Sequence, residues 1–537
     1  MTEKILVIDL EKKTFETREH PYNKQSAYGR RLVLDLIKEY VPDDAERYSK
    51  ENVIVISPGF FAGNKAPSAC RMFIATAEDR GKGIQICNTT GNLPQKIGSL
   101  GIAAIVIKGN SPEKSTVIHI TENGVDFSVR PEYIGADVKD IVHGLKAEYG
   151  SNVGIMGTGK CGDMRMALSV VFLTYPHGTP EYQSPRSGFG DVFGAKNIRA
   201  IVVEGNDCFA RENNAPEEFW ALSKQLTQKI IHDEVCGGAL PTYGSITIMK
   251  ILKSRRSLAE LSVMNAGKEA LHKDPSGENV SDDDSRNRLR SNRTCAPMCA
   301  IGCLNRHTSN DGRKYESPSQ VEVEAAVKNC FGIDDYDLSK EIQDRATEMG
   351  LVSVEYVTAA KAYAEAVGIE HGEENLLEWL DEIEQGTPIG RIIASRTYGI
   401  RNLFSDKVAE SLVDRRAIQD ESLFEVQVDS RYLKLKDMST MELLYSQIFV
   451  LENLGFCIFT AFALLDNDET FEILARMFSA KTGIDITGEE LIIQANGCIK
   501  AEKEYEEKRW RAALETNIPP FTKVLYRYFD SNRAEQK

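Results

Sequence analysis

The chain of 537 residues has no apolar run approaching the roughly 20 residues that cross a bilayer, so no membrane-spanning helix is expected. Its opening, MTEKILVIDLEKK, lacks the long apolar stretch and small-residue cleavage site of a secretory signal, and a cytoplasmic location is expected. Basic charge is short as well. Lys and Arg number 65 against 80 Asp and Glu, a net −15, which excludes nucleic acid as a partner because phosphates need a basic surface. An acidic redox partner would have to dock on a local basic patch. Histidine is scarce, with 8 in the chain and none after His371. No repeat at solenoid periods is evident.

What is present is a globular composition, 42% hydrophobic, on a chain too long for one core, and about three domains are expected. Up to about Gly205 the apolar segments are short, β-branched and bounded by turn residues. ILVIDL, NVIVISPG, IAAIVIKGN, STVIHIT and IRAIVVEGN predict strands, and only YGRRLVLDLIKEY and VKDIVHGLKAEYG predict helices there. Beyond Gly205 the windows turn helical: EEFWALSKQLTQKIIHDEV, SKEIQDRATEMG, VEYVTAAKAYAEAVG, NLLEWLDEIEQG, ETFEILARMFSAKTG and GEELIIQANGCIKAEKEYEEKRW. The stretch HKDPSGENVSDDDSRNRLRSNR is polar and reads as an exposed connector. The expected fold class is α+β, with a β-rich domain over residues 1–206 and two mainly α-helical domains over 207–395 and 396–537.

Eleven cysteines in a reducing compartment point to metal before disulfides. Cys295, Cys299 and Cys303 fall within nine residues, with Pro297 and Gly302 between them to form a tight turn. A [4Fe–4S] cluster takes four converging thiolates, and Cys457 in the Gly455-Phe456-Cys457 segment is the best candidate for the fourth. Zinc, with His307 as a further ligand, and a purely structural burial of the thiols are the competing readings.

Three glycine-rich segments stand in the β-rich part. Gly154-Ile-Met-Gly-Thr-Gly159-Lys160-Cys161 nearly spells a P-loop, but Cys161 replaces the hydroxyl that would coordinate magnesium, so an NTPase is poorly supported. Ser184-Pro-Arg186-Ser-Gly188-Phe-Gly190 and the pair Ser68 to Arg71 with Asn88 to Gly91 each suit a close backbone approach to a phosphate. Singly each suits a tight turn; together they suggest an anionic organic cofactor.

These segments, in this order, resemble the aldehyde ferredoxin oxidoreductase family of tungsten enzymes. The resemblance runs through Tyr28-Gly29-Arg30, Ser57-Pro58-Gly59, Ser68 to Arg71, Asn88 to Gly91, Arg186 to Asn197, the cysteines, Tyr315-Glu316-Ser317, Gly350-Leu351 and Leu454 to Cys457. It continues in the late helix from Gly497 and in Ile518-Pro519-Pro520-Phe521. It implies a β-rich base for a tungsten or molybdenum bis-pyranopterin, with Cys295, Cys299, Cys303 and Cys457 holding a neighbouring [4Fe–4S] cluster. Arg71 would lie between cofactor and cluster. The backbones of Asn88 and Ser184 would hold a magnesium ion that bridges the pterin phosphates. Gly91 and Arg186 would belong to the phosphate cradle. Gly350 with Leu351, and Glu452 with Gly455 and Phe456, would contact the two pterins. Glu316 matches the active-site glutamate.

The departures are specific. Three residues separate Cys295 from Cys299 where the family has two, and Thr347 and Val352 replace the two carboxylates of its first pterin loop. Glu452 replaces an aspartate of the second. The chain is shorter between about Arg401 and Tyr445, which removes the family's active-site histidine, so that its proton or hydrogen-bond donor is either lost or replaced by a residue such as Tyr445 or Tyr432. The resemblance implies oxidation of an aldehyde to a carboxylate, or a related redox reaction on a carbonyl or aromatic compound. Electrons would pass to a ferredoxin or an iron–sulfur partner subunit, and a homodimer is the family's expected assembly. The alternative is a non-catalytic paralogue that carries a cluster for electron transfer or scaffolding.

Overall fold

The computed structural model describes residues 2–43, 45–78, 83–176, 178, 180–185, 188–206, 213–245, 293–308, 312, 314–315, 317–369, 373–404, 430–432, 435, 438–465 and 467–509. Its β-rich part is two copies of one unit. The first copy runs β1 (Thr2–Asp9), β2 (Thr14–Pro21), α1 (Gly29–Tyr40), β3 (Ile54–Pro58), β4 (Arg71–Ala77), β5 (Ile84–Thr90), α2 (Leu93–Ser99) and β6 (Ile102–Lys108). The second runs β7 (Thr116–Thr121), β8 (Gly124–Val129), α3 (Val138–Tyr149), β9 (Gly154–Thr158), α4 (Lys160–Asp163), β10 (Val171–Thr174), β11 (Tyr182–Gln183), α5 (Gly190–Ala195) and β12 (Ile198–Val203).

The sheets are ordered β2-β1-β6-β3-β4-β5 and β8-β7-β12-β9-β10-β11, the same sequence of roles. In each the first strand pairs parallel with the last, and every other pair is antiparallel. Even the register slip is repeated, between Lys4 and Ile5 in one copy and between Ile198 and Ala200 in the other. This duplication escapes the sequence because no residue pattern had to be kept beyond apolar strands and turns.

The two-residue period of a strand sorts the side chains. Leu6, Ile8, Ile54, Ile56, Met72, Ile74, Ile105 and Ile107 share one core with Ile118, Ile120, Met156, Val171, Leu173, Ile201 and Val203 of the other sheet. The alternate residues Ile5, Val7, Val55, Phe73 and Val106 turn to α1, and Val117, Ile155, Phe172 and Val202 turn to α3. Strands buried on both faces need unbroken apolar runs, which is why ILVIDL and IAAIVIKGN are so visible.

The expected strands and the helices α1 and α3 are present. The short helices α2, α4 and α5 and the strands β2, β4, β5, β8, β9, β10 and β11 were not anticipated. Two helical cores follow the base, as the α+β reading expects. Val321–Phe331, Tyr336–Met349, Ser353–Val367, Glu373–Gln385 and Pro388–Ile393 pack together over Cys161, Met166 and Leu168 from the β9–β10 connection. Pro216–His232, Thr440–Leu454, Asp468–Thr482 and Gly488–Arg509 pack together over Phe60, Phe61, Ala66 and Ala69 from the β3–β4 connection. Each repeat of the base thus carries its own helical layer on the same loop. Among the described residues no helix is long and apolar enough to cross a membrane. The polar stretch expected to be a connector lies outside the described residues.

Candidate functional site

Each helical layer is fastened to the base by a glycine that ends a helix in the left-handed region, where a side chain is strained. Gly455 (φ 94°) ends Thr440–Leu454 and crosses Gly59 so closely that a Cβ on Gly59 would stand 2.1 Å from the Gly455 Cα. The chain after it then pairs with the base. Arg71 N donates to Gly455 O (2.9 Å), Cys457 N donates to Ser68 O (2.9 Å), and Phe456 bridges Ala69. Gly350 (φ 75°) ends Tyr336–Met349 and does the same in the second repeat. Val170 N donates to Gly350 O (2.8 Å), Val352 N donates to Leu168 O (3.1 Å), and Leu351 bridges Ser169. The near-P-loop is part of this second dock: a Cβ on Gly159 would meet Met349 O at 2.7 Å, and Lys160 is held by Asp137 (2.9 Å) and Glu384 (2.7 Å).

The cysteines gather at the first dock. Ser68 (φ 57°) joins the three-cysteine loop to the fourth thiol: its N–H donates to Met298 O (2.8 Å), and its Oγ accepts from Ala300 N (3.0 Å). Its carbonyl accepts from Cys457 N, as above. Between Cys295 and Cys299 the chain turns at Met298 (φ 61°), and the carbonyl so turned is the one that Ser68 binds. Arg71 donates to Cys457 Sγ at 3.1 Å. Burial pushes the Cys303 thiol well above its usual range, the neighbouring Cys295, Cys299 and Cys457 push it further, and Arg71 opposes them. Cys457 and Cys295 also pack in one small cluster with Cys70 and Ala296. Among the described residues no three Cys, His, Asp or Glu side chains are drawn tightly enough together to hold a single ion. His307 is buried edge-on against Tyr315, with ring centroids 4.2 Å apart.

The predicted cradle residues line the same region. Asn88, on β5, donates to Glu452 Oε1 (3.0 Å), and its Oδ1 is buried without a partner. The same holds for Arg71 Nε, Thr89 Oγ1 and Ser184 Oγ. Buried polar atoms are nearly always hydrogen-bonded, so the orphaned Arg71 Nε at the start of β4, Asn88 Oδ1 on the same face of β5 and Ser184 Oγ just after β11 fit a bound polar group, while Thr89 turns to the other face. Gly91 backs onto Thr174, whose carbonyl would lie 2.6 Å from a Cβ there. Phe456 is fully buried, edge-on to Phe61.

Other predicted residues stand apart from free chemistry. Glu452 is tied to Arg30 Nη1 (3.3 Å), and Arg30 also grips Glu502 through two bonds (2.6 and 2.7 Å). Thr347 Oγ1 donates back to Gln343 O (2.8 Å), and Val352 is buried. Tyr445 is buried in the apolar layer with Leu444 and Ile448. Tyr432 donates to Glu472 (3.0 Å) and packs on Phe471, and burial pushes its hydroxyl up to about 12. Glu316 and Arg186 lie outside the described residues. Sequence reasoning gave no role to Cys70, Arg30 or Glu348. Glu348, one residue past Thr347, is half-buried and accepts from Tyr182 OH and from Lys139 N (3.1 Å). Burial raises its pKa against those bonds. Only the fold brings β11 to that helix end, so no local signal marks it.

Residues 5–205 match the N-terminal domain of aldehyde ferredoxin oxidoreductase. The tungsten-containing aldehyde ferredoxin oxidoreductase of Pyrococcus furiosus is 25% identical over 327 residues, 61% of this chain and 52% of that protein. The Pyrococcus horikoshii enzyme of the same name is 25% identical over 398 residues, 70% of this chain and 62% of that protein. The match with the first spans about half the length of that relative. Among solved structures, the active-site complex BamBC of benzoyl coenzyme A reductase with 1,5-dienoyl-CoA has the same fold. Its TM-score is 0.73 at 16% identity, over 99% of this chain and 95% of that one.

Proposed function

This chain belongs, as a divergent member, to the aldehyde ferredoxin oxidoreductase family, and we propose from that premise that it is an oxidoreductase built around a tungsten or molybdenum bis-pyranopterin and one [4Fe–4S] cluster. The observation that carries the reading is Arg71, which donates to Cys457 Sγ on one side and keeps a buried, unpartnered Nε on the other. A cation in that position suits an anionic cofactor next to a thiolate-bound cluster, as the hydrogen bonds to outer-shell groups of metal sites do.

Cys295, Cys299, Cys303 and Cys457 would hold the cluster. The docks at Gly350-Leu351 and Gly455-Phe456 would each support one pterin, and the backbones of Asn88 and Ser184, with Gly91 and Arg186, would serve the phosphates and their magnesium. When bound, the centre would supply two-electron exchange with a carbonyl or aromatic substrate, and the cluster would supply one-electron transfer toward a ferredoxin or a partner subunit. Arg71 holds positive charge between the two sites, and the orphaned Asn88 Oδ1 and Ser184 Oγ orient the cofactor by hydrogen bonds. Glu316 would serve as base or as holder of a water, and Tyr445, although packed in the apolar layer, is the candidate in place of the absent late histidine.

The substrate reading is a carbonyl compound, with aldehyde-to-carboxylate chemistry first. Reduction of an aromatic or conjugated substrate is the second reading, because a solved structure that shares the fold over 99% of this chain is a benzoyl coenzyme A reductase complex. The test is metal and pterin analysis of protein purified without oxygen from a host supplied with tungstate and molybdate. About one group-6 metal and four irons per chain support the enzyme. Iron alone would leave an electron-transfer subunit, and neither would leave a fold without its chemistry.

A further inference from the structure

The two repeats of the base bond to their helical layers in the same pattern at their docks, with a difference of one residue. In the second repeat the chain bonds through Leu168 O and Val170 N, with Ser169 between. In the first it bonds through Ser68 O and Arg71 N, with Ala69 and Cys70 between. The strand registers agree, since Pro58 pairs with Met72 where Thr158 pairs with Val171. Cys70 is thus the extra residue of a bulge, the device by which a strand re-aims a side chain next to a site.

The side chain so aimed is a fully buried thiol packed with Ala296, Cys457 and Cys295. Its Sγ donates to Ser68 O at 3.4 Å, and Thr90 Oγ1 donates to Cys70 O (3.0 Å) while lying 3.9 Å from Cys295 Sγ. Cys295 is the half-buried first member of the lengthened spacing, on a loop held through the turned Met298.

We propose that Cys70 is a fifth sulfur ligand of this site, able to take over the iron that Cys295 holds; this rests on the cluster reading above. The exchange involves no electron transfer. The Cys70 thiol gives up its proton and its sulfur bonds to iron, while the iron bond to Cys295 breaks and that sulfur takes a proton. A site with five thiols for four irons retains its cluster when the loop bearing Cys295 opens.

The experiment compares the full chain, purified without oxygen, as wild type, Cys70→Ala, Cys295→Ala, Cys299→Ala and the double variant Cys70→Ala/Cys295→Ala. Iron and acid-labile sulfide per chain and the EPR signal of the reduced protein are measured, with circular dichroism to verify folding. The expected result is wild-type iron in both Cys70→Ala and Cys295→Ala, a changed EPR signal in Cys295→Ala, and loss of more than half the iron in Cys299→Ala and in the double variant. Cys295→Ser is read in the same way if Cys295→Ala does not fold. Loss of iron from folded Cys295→Ala or Cys295→Ser to the level of Cys299→Ala overturns the proposal and leaves the cluster reading intact. A wild-type protein without iron overturns the cluster reading itself, and this proposal with it.

Discussion

Arg71 and Cys457 meet across the first dock, a guanidinium N–H donating to a thiol sulfur at 3.1 Å from 386 residues away in the chain. With the cluster bound, that hydrogen bond and its charge favour the reduced, more negative state. Replacing Arg71 by Gln is expected to lower the cluster's reduction potential by on the order of 60 mV, the one-electron equivalent of about 1.4 kcal/mol. A redox titration followed by EPR measures it, and an unchanged potential would remove Arg71 from the electron path.

Gly59 and Gly455 cross with no room between them. Ala at Gly59 must push against the Gly455 Cα, and Ala at Gly455 must also adopt φ 94°. Each substitution is expected to cost about 2 kcal/mol or more, by overpacking and by strain. Thermal unfolding checks it. A Gly59→Ala protein as stable as the wild type would mean that the two segments do not touch.

Arg30 is the buried counter-charge of both Glu452 and Glu502. Arg30→Leu leaves two buried carboxylates facing each other, and a loss of about 3–5 kcal/mol is expected. Urea unfolding at neutral pH reads the loss. It should shrink in acid, as the carboxylates protonate, and a loss independent of pH would point to packing rather than charge.

Ser68 gathers the cysteine loop through both its backbone and its side chain. Ser68→Ala removes the bond from Ala300 N and is expected to cost about 1 kcal/mol of stability. Iron should also be released faster on exposure to a chelator. An unchanged release rate would confine Ser68 to folding.

Lys196 is buried on the base, its Nζ donating to Gly109 O at 3.0 Å, and burial lowers its amine from 10.5 to about 8. Between these two pH values the unfolded chain binds more protons than the folded one, so this group makes stability rise with pH across that window. Lys196→Met is expected to raise stability at pH 7 by about 2 kcal/mol, because relief of the buried charge exceeds the lost hydrogen bond. Denaturant midpoints at neutral and alkaline pH test this, and the gain should vanish above the upper value.

Much of the architecture was legible in the residues because it rests on local rules. A strand buried on both faces must be apolar throughout, and ILVIDL and IRAIVVEGN could be little else. Long amphipathic windows such as ETFEILARMFSAKTG carry their own period, and Asp468–Thr482 follows it. The duplication was not legible, since two copies need share only pairing geometry. Strands such as β11, two residues long, have too few residues to show any period.

The candidate site divides in the same way. The sequence by itself determined which residue types are present for soft-metal and phosphate chemistry: the three closely spaced cysteines, the glycines that permit close approach, and the absence of any histidine after His371. It also carried the order of motifs that marks the family. Only the tertiary structure decided which of them meet. Hydrogen bonds from Ser68 bring Met298, Ala300 and Cys457 to one place, a glycine crossing sets Gly455 on Gly59, and a single-residue bulge turns Cys70 toward Cys295. These contacts join segments hundreds of residues apart, most of them through backbone groups. Every residue carries such groups, so the sequence gives no sign of which ones will pair.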